Sequence, residues 1–309
     1  MKVHEWVAQA TGELEDAGIE SARLDAELLL SDNDDVVSIW YDDLPCSREE
    51  IVTKADQELR EQTVELLKRS VERRMDGEPL AYVIGHKEFY GREFYVNNNV
   101  LIPRPETEQL IEIAKKLDPK SVLDVGTGSG CIAATLAREL PETQVTASDI
   151  SLKALDVAVL NNALTHKERF KDHVASNTFS FSVKKSRRNN GVAKRTLHSN
   201  GMDFVQSDLL EDVNDKFELI VANLPYVDSS WEVSPETIFE PKRALFAATN
   251  GTSLMRRLIR QAPKNLVERG HLLLEMDTRQ LDIMANYAHK HGFAEIERHP
   301  FALLLQRVD

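Results

Sequence analysis

Cysteine is nearly absent. Cys46 and Cys131 are the only two in 309 residues, far apart and without metal-ligand spacing. This argues against a structural zinc and for a reducing cytosol. Long apolar runs are also missing. The opening MKVHEWVAQATGELEDAG has no secretory core, and no later stretch approaches a membrane span, so a cytoplasmic chain without membrane contact is expected. Nor is there surplus positive charge. The formal net charge of -13 argues against a dominant role in gripping nucleic acid and leaves room only for a local basic patch. What the chain does have is 42% hydrophobic residues and enough length for an enzymatic core plus a smaller domain.

The texture of the sequence changes along its length. Residues 1–77 carry helical spacing in VHEWVAQATGELEDAG, in ARLDAELLLSD and in one or two helices over REEIVTKADQELREQTVELLKRSVERRMDG, which suggests a small bundle. Residues 78–106 are aromatic and β-branched and read as a β-hairpin linker, with Gly85, Gly91 and Asn97-Asn98-Asn99 as turns. Pro103 and Pro105 hold its exit extended, and Thr107 is placed to cap the next helix. From 107 to 309 strands and helices alternate, as in an α/β domain around a largely parallel sheet. A long helix is expected over much of GTSLMRRLIRQAPKNLVERG. A polar insertion at about 171–201 interrupts the alternation. It holds Lys184, Lys185, Arg187, Arg188, Lys194 and Arg195 and is too long for an ordinary loop. It reads as a mobile surface insertion or as a basic arm for a partner, with TFSFSV able to form one arm of a hairpin.

The strand VLDV runs into Gly126-Thr127-Gly128-Ser129-Gly130 ahead of a helix. Glycines there allow the backbone to approach a ligand, and the helix start offers free N–H groups. Asp124 ends the strand, where it can meet the loop or a ligand's amine. Asp149 closes the next strand about twenty residues on, the place from which a carboxylate reaches ribose hydroxyls. Together they suggest adenosine-type binding, which nicotinamide and S-adenosylmethionine both satisfy.

Asn223-Leu224-Pro225-Tyr226 follows the strand FELIVA and decides between them. Pro225 restricts Leu224 to an extended conformation, which would set the Leu224 carbonyl beside the Asn223 side-chain oxygen. Two acceptors held together suit the two hydrogens of a planar –NH2, and Tyr226 offers a flat face for it. Such a clamp orients a weakly nucleophilic nitrogen toward a sulfonium methyl without a general base, so Asp208 and Asp228 are not needed for that role. Arg104 and Glu106 would line the entrance or pair with neighbours at the domain junction. Trp231 and Phe239 would shape a peptide groove or anchor their own loop. His86 reads as a surface residue of the linker, and no metal ligand set is expected.

These motifs resemble those of the release factor glutamine methyltransferases, the HemK or PrmC family, over nearly the whole chain. VLDVGTGSG, Asp149 and the Asn223 turn are shared with many S-adenosylmethionine-dependent enzymes that methylate amide or exocyclic nitrogens. The linker YVIGHKEFYGREFYVNNNVLIPRPETE and the segment FEPKRALFA are more specific to the family. The resemblance implies an α/β, Rossmann-like class I methyltransferase fold behind a small N-terminal helical domain that docks substrate. It implies transfer of methyl from S-adenosylmethionine to the N5 amide nitrogen of the Gly-Gly-Gln glutamine of class 1 peptide chain release factors. It also implies that Gly126 to Gly130, Asp149 and Asn223 contact the cofactor, with Leu209 against adenine, and that Asn223 to Tyr226 clamp the glutamine. Leu224 departs from the family's usual proline, yet a backbone carbonyl at that position is supplied equally well by leucine. An N6-adenine methyltransferase acting on RNA or DNA is the runner-up, because an exocyclic adenine amine presents the same donors. A non-catalytic cofactor-binding interaction protein is the third reading. A monomer is expected, with nucleic acid not the direct substrate.

Overall fold

Apolar residues at helical intervals make the first element: Val3, Trp6, Val7, Ala10 and Leu14 of α1 (Val3–Asp16) share one buried stripe. The computed structural model describes residues 1–32, 45, 47–165, 182–185 and 195–308. Within it α2 (Ala22–Ser31), α3 (Arg48–Thr53) and α4 (Glu61–Met75) close around that stripe through Leu29, Leu30, Ile51, Leu67 and Val71. The stretch after Ser47 thus resolves into two helices. Near the end of α4 the buried Arg74 donates to Asp25 Oδ2 at 2.7 Å and pairs with Glu236 at 2.8 Å, joining the bundle to a distant loop. A short α5 (Leu80–Ile84) stops at Gly85, whose φ of +94° is the left-handed conformation that ends a helix.

The hairpin read from the sequence is present as β1 (His86–Phe89) and β2 (Arg92–Tyr95), paired antiparallel. His86 is a correction. It is buried rather than exposed, with Nε2 3.0 Å from Asp32 Oδ2 at the end of α2, because the hairpin packs back onto the bundle. Thr107 is a second correction. It has helical dihedrals and caps nothing; Pro105–Thr107 form a 3-10 turn that leads directly into α6 (Glu108–Leu117).

Beyond it, β3 (Ser121–Val125), α7 (Cys131–Glu139), β4 (Gln144–Asp149) and α8 (Leu152–Leu164) follow in order. The insertion contributes β5 (Ser182–Lys185) and β6 (Arg195–Ser199), an antiparallel pair that extends the sheet beside β7 (Met202–Gln206). The rest of the insertion, including Arg187, Arg188 and Lys194, lies outside the described residues, as does Cys46. Then come β8 (Phe217–Ala222), α9 (Lys242–Leu245), α10 (Ser253–Gln261), β9 (Leu266–Glu275), α11 (Leu281–His289), β10 (Phe293–Arg298) and β11 (Ala302–Arg307). The long helix expected before β9 is shorter than its sequence suggested. Pro263 cannot supply the next helical N–H, and the chain passes through a 3-10 turn into a strand.

The sheet order is β10-β11-β9-β8-β3-β4-β7-β6-β5, with β9, β8, β3, β4 and β7 parallel and antiparallel ribbons on both flanks. Parallel strands covered on both faces are apolar on both faces. Val122 and Val145 pack under Ile111, Leu136 and Leu155, while Leu123 and Ile220 pack against Met255, Leu258 and Met284. The chain builds outward from β3 through β4 to β7, then returns to place β8 on the other side of β3. That reversal opens a crevice at the carboxyl ends of the strands, where α/β sheets bind ligands. No helix among the described residues is long and apolar enough to cross a membrane.

Candidate active site

Three strand ends meet in the crevice. After β3 the chain turns sharply at Gly126, φ +75°, with the N–H groups of Gly126 and Thr127 donating to the Ser148 carbonyl at 2.8 and 2.9 Å. Thr127 Oγ1 donates to Asp124 Oδ2 at 2.6 Å, so Asp124 braces the loop from beneath. After β4 the Asp149 carboxylate accepts from Gly128 N at 3.0 Å and from Ser151 N at 2.8 Å. After β8 the Asn223 Nδ2 donates to Thr107 Oγ1 at 3.0 Å, leaving Oδ1 as the end of that amide without a partner among the described residues.

These groups border a cavity of about 450 Å³. Gly126, Thr127, Gly128, Ser129, Asp149, Leu209, Asn223, Leu224 and Pro225 line it, together with Arg104. Gly130 and Asp124 do not. Gly130 starts α7, and Asp124 is wholly buried under the loop, without contact to the cavity. A second pocket of about 50 Å³ adjoins the first at the turn and is bordered by Asn223, Leu224, Pro225, Tyr226, Arg104 and Glu275. Glu106 borders neither space and is exposed. Arg104 reaches both while its guanidinium bonds the buried Glu240, so it lines the entrance and also makes the junction ion pair.

The Leu224 side chain has a use of its own. A Cβ on Gly126 would stand 2.9 Å from Leu224 Cδ2, so leucine packs directly onto the glycine loop. Its carbonyl accepts no hydrogen bond among the described residues. Trp231 lies under the Arg279 guanidinium at 3.5 Å, and Phe239 joins the cluster of Tyr82, Val100 and Ile102, so both aromatics anchor the loop that carries them.

Two supporting residues complete the frame: Asn161, which was not legible, and Gln280, which lies in the HLLLEMDTRQ segment that resembles the family's Glu…Gln region. Asn161, inside an apolar helix, accepts from Tyr95 N and donates to Ser129 O at 2.8 Å, tying the hairpin to the glycine loop. Two adjacent asparagines in an apolar helical face were the available signal. Gln280 Nε2 donates to the carbonyls of Tyr226 and Asn250, each at 2.8 Å, and so holds the turn from behind. Thr249, Asn250 and Gly251 all have positive φ there.

Burial shapes the charges. Desolvation pushes Asp124 up to about 7 despite the bond from Thr127, and pushes Glu275 up to about 7 despite Thr107 and Tyr226. Asp149 is also raised by burial, partly offset by the N–H groups of Ser151 and Gly128. A carboxyl that holds its proton more tightly when folded stabilises the fold fully at acid pH, below its unfolded range. It loses that contribution as pH rises through about 7. Urea unfolding of wild type beside Asp124→Asn should therefore show wild-type stability falling faster between about pH 4.5 and 7, by up to about 1.4 kcal/mol per pH unit. Parallel curves for the two proteins would contradict the burial of this charge.

The cavity suits S-adenosylmethionine. Its wall combines the Asp149 carboxylate, apolar surface from Leu209 and Ile150, and the exposed backbone of the glycine loop. Comparison with known proteins agrees. Residues 5–85 match the family described as PrmC N-terminal domain, and residues 105–188 match Methyltransferase small domain. The chain is 37% identical over 275 residues to a release factor glutamine methyltransferase of Koribacter versatilis, covering 85% of this chain and 82% of that one. It is 32% identical over 305 residues to one from Rhodopirellula baltica, covering 94% and 88%. Against one from Neisseria gonorrhoeae the identity is 34% over 266 residues, covering 85% and 86%.

Proposed function

The chain belongs to the release factor glutamine methyltransferase family, and on that premise we propose that its Asn223–Tyr226 turn presents a release factor's glutamine amide for methylation. The target is the N5 nitrogen of the glutamine in the Gly-Gly-Gln loop of class 1 factors. The observation that carries this reading is that Asn223 and Leu224, adjacent residues whose Oδ1 and carbonyl accept no hydrogen bond among the described residues, both border a cofactor-sized cavity and a smaller pocket.

Asp149 would hold the ribose, Gly126 to Ser129 and Leu209 would enclose the rest of the nucleoside, and Asp124 acts only by bracing Thr127. Bound S-adenosylmethionine supplies a methyl group on a positively charged sulfur, a carbon open to a weak nucleophile. Asn223 Oδ1 and the Leu224 carbonyl each take one hydrogen of the substrate –NH2, which aims its nitrogen and favours the charge that develops there. The Tyr226 ring walls the smaller pocket, and Arg104 borders its mouth. Glu106 has no role in binding on this reading, because it faces solvent. Residues 1–77 dock the factor, 78–106 link, and 107–309 catalyse. The Arg74–Glu236 pair connects the first of these to the loop after the turn, which supports a docking role. The protein acts as a cytoplasmic monomer.

Transfer of labelled methyl from S-adenosylmethionine to purified release factor tests this directly, beside a factor whose Gly-Gly-Gln glutamine is alanine and an RNA control. Label is expected in the native factor alone. Label in RNA would move the chain to the adenine chemistry that shares the same donors.

A further inference from the structure

The smaller pocket contains a chemical group that clamping does not use. Among the described residues, the ionisable side chains that border it are Arg104, Tyr226 and Glu275. Arg104 is paired with Glu240 and cannot serve as a base. The Tyr226 hydroxyl is held above its ordinary value by burial and donates to Glu275 Oε1 at 3.3 Å. Glu275 itself is 1% exposed, and its Oε2 is buried without a hydrogen-bond partner. A buried carboxyl oxygen with no partner is costly, and Glu275 borders the smaller pocket, where such an oxygen has a use.

We propose that Glu275 is a catalytic residue of the transfer, accepting through Oε2 the proton that the substrate nitrogen must shed. This rests on the reading of Asn223–Tyr226 as an amide clamp. In the step, the N–C bond forms as the carbon–sulfur bond breaks, with both electrons of the latter staying on sulfur. The nitrogen then carries one hydrogen too many for a neutral secondary amide. One of the two hydrogens held by Asn223 Oδ1 and the Leu224 carbonyl then leaves its acceptor as a proton to Oε2, and Glu275 returns it to water when the product leaves. Orientation alone does not remove the proton; a base at the pocket wall does.

The surroundings of Glu275 set its basicity. Burial raises its pKa, and Glu106 on the 3-10 turn before α6 raises it further. Hydrogen bonding from Thr107, Tyr226 and Asn223 draws it partly back. Cys131 at the start of α7 is pushed up to about 12 and stays uncharged beside it. Arg104, neutralised by Glu240, is the only cation among the described residues that border the pocket. The group is therefore poised near neutrality, where a proton acceptor works best.

Glu275→Gln keeps the size of the side chain and an acceptor for the Tyr226 hydroxyl. Single-turnover rates on release factor should be compared for wild type and E275Q from roughly pH 5.5 to 9, with S-adenosylhomocysteine affinity measured by calorimetry. The expected result is a loss of ~10²-fold for E275Q above neutrality, with cofactor-product affinity kept and the acid limb of the wild-type profile gone. Infrared difference spectra of the free proteins should show a carboxylic acid band, present only in wild type, that disappears as pH rises through about 7. E275Q turning over at the wild-type rate across this range would overturn the proposal, as would a Glu275 band that does not titrate there. If E275Q fails to fold, Asp124→Asn removes the other carboxyl raised to about 7, and its profile decides: an acid limb that tracks the remaining infrared titration supports the role, and a flat profile removes it. Wild-type turnover on the release factor is read separately, so a wrong substrate and a wrong base give different results.

Discussion

Asn223→Ala should lower turnover by ~10²–10³-fold while S-adenosylhomocysteine binds nearly as before. The reason lies in how the side chain is held. Its Nδ2 is fixed by Thr107 Oγ1 at 3.0 Å, so Oδ1 is presented rather than free to rotate. Alanine removes that acceptor and leaves one of two substrate hydrogens undirected, at the point where charge develops on nitrogen. That places the loss in the transition state rather than in the binding of either partner. Cofactor affinity is expected to depend on the far larger cavity wall, which Asp149 and the glycine loop also line. The measurement is kcat on release factor beside calorimetric affinity for the cofactor product. Equal losses in both would show that Asn223 belongs to the cofactor site and not to the clamp.

Gly251→Ala should disable the site from a distance. Gly251 has φ +75°, and a Cβ there would fall 1.9 Å from the Tyr226 carbonyl oxygen and 2.5 Å from Gln280 Nε2. No rotamer relieves contact with a backbone oxygen. Either the loop at 249–251 retreats or the Tyr226 peptide does, and the Gln280 bonds that back the turn are lost in both cases. Overpacking combined with left-handed backbone strain costs about 3 kcal/mol. Activity should fall further than stability, because a shift of about 1 Å in the clamp misaligns the nitrogen. Gly201→Ala is the control. Its φ is +81°, yet nothing lies within 4 Å of its added Cβ, so it carries the backbone strain without the collision. Urea unfolding and methyl transfer of both variants separate the two effects. Matching behaviour of G251A and G201A would mean that the Tyr226 contact is unimportant.

Some misreadings have a common origin. His86 looked like a linker surface residue because its sequence neighbourhood holds no cysteine or histidine that would mark a site; the carboxylate nearest its Nε2, that of Asp32, is 54 residues away. Thr107 looked like a helix cap because threonine ahead of an apolar helix usually is one. Its hydroxyl instead meets a side chain 116 residues away. Trp231 and Phe239 could be read two ways until Arg279 and Tyr82 were seen against them. The helix before β9 was overextended because its charged, amphipathic face continues past the proline that stops it.

The sequence by itself determined the alternation of strands and helices, the glycine loop, Asp149 and the Asn223 turn. Each is written in residues adjacent to one another, and a right-handed parallel sheet brings successive strand ends to one edge. Only the tertiary structure decided which groups are buried and what they meet: Thr107 on Asn223, Gln280 behind Tyr226, Glu240 on Arg104, and Glu275 in the pocket wall. Desolvation depends on what surrounds a group in space, and those neighbours come from chain segments too distant for any local pattern to register.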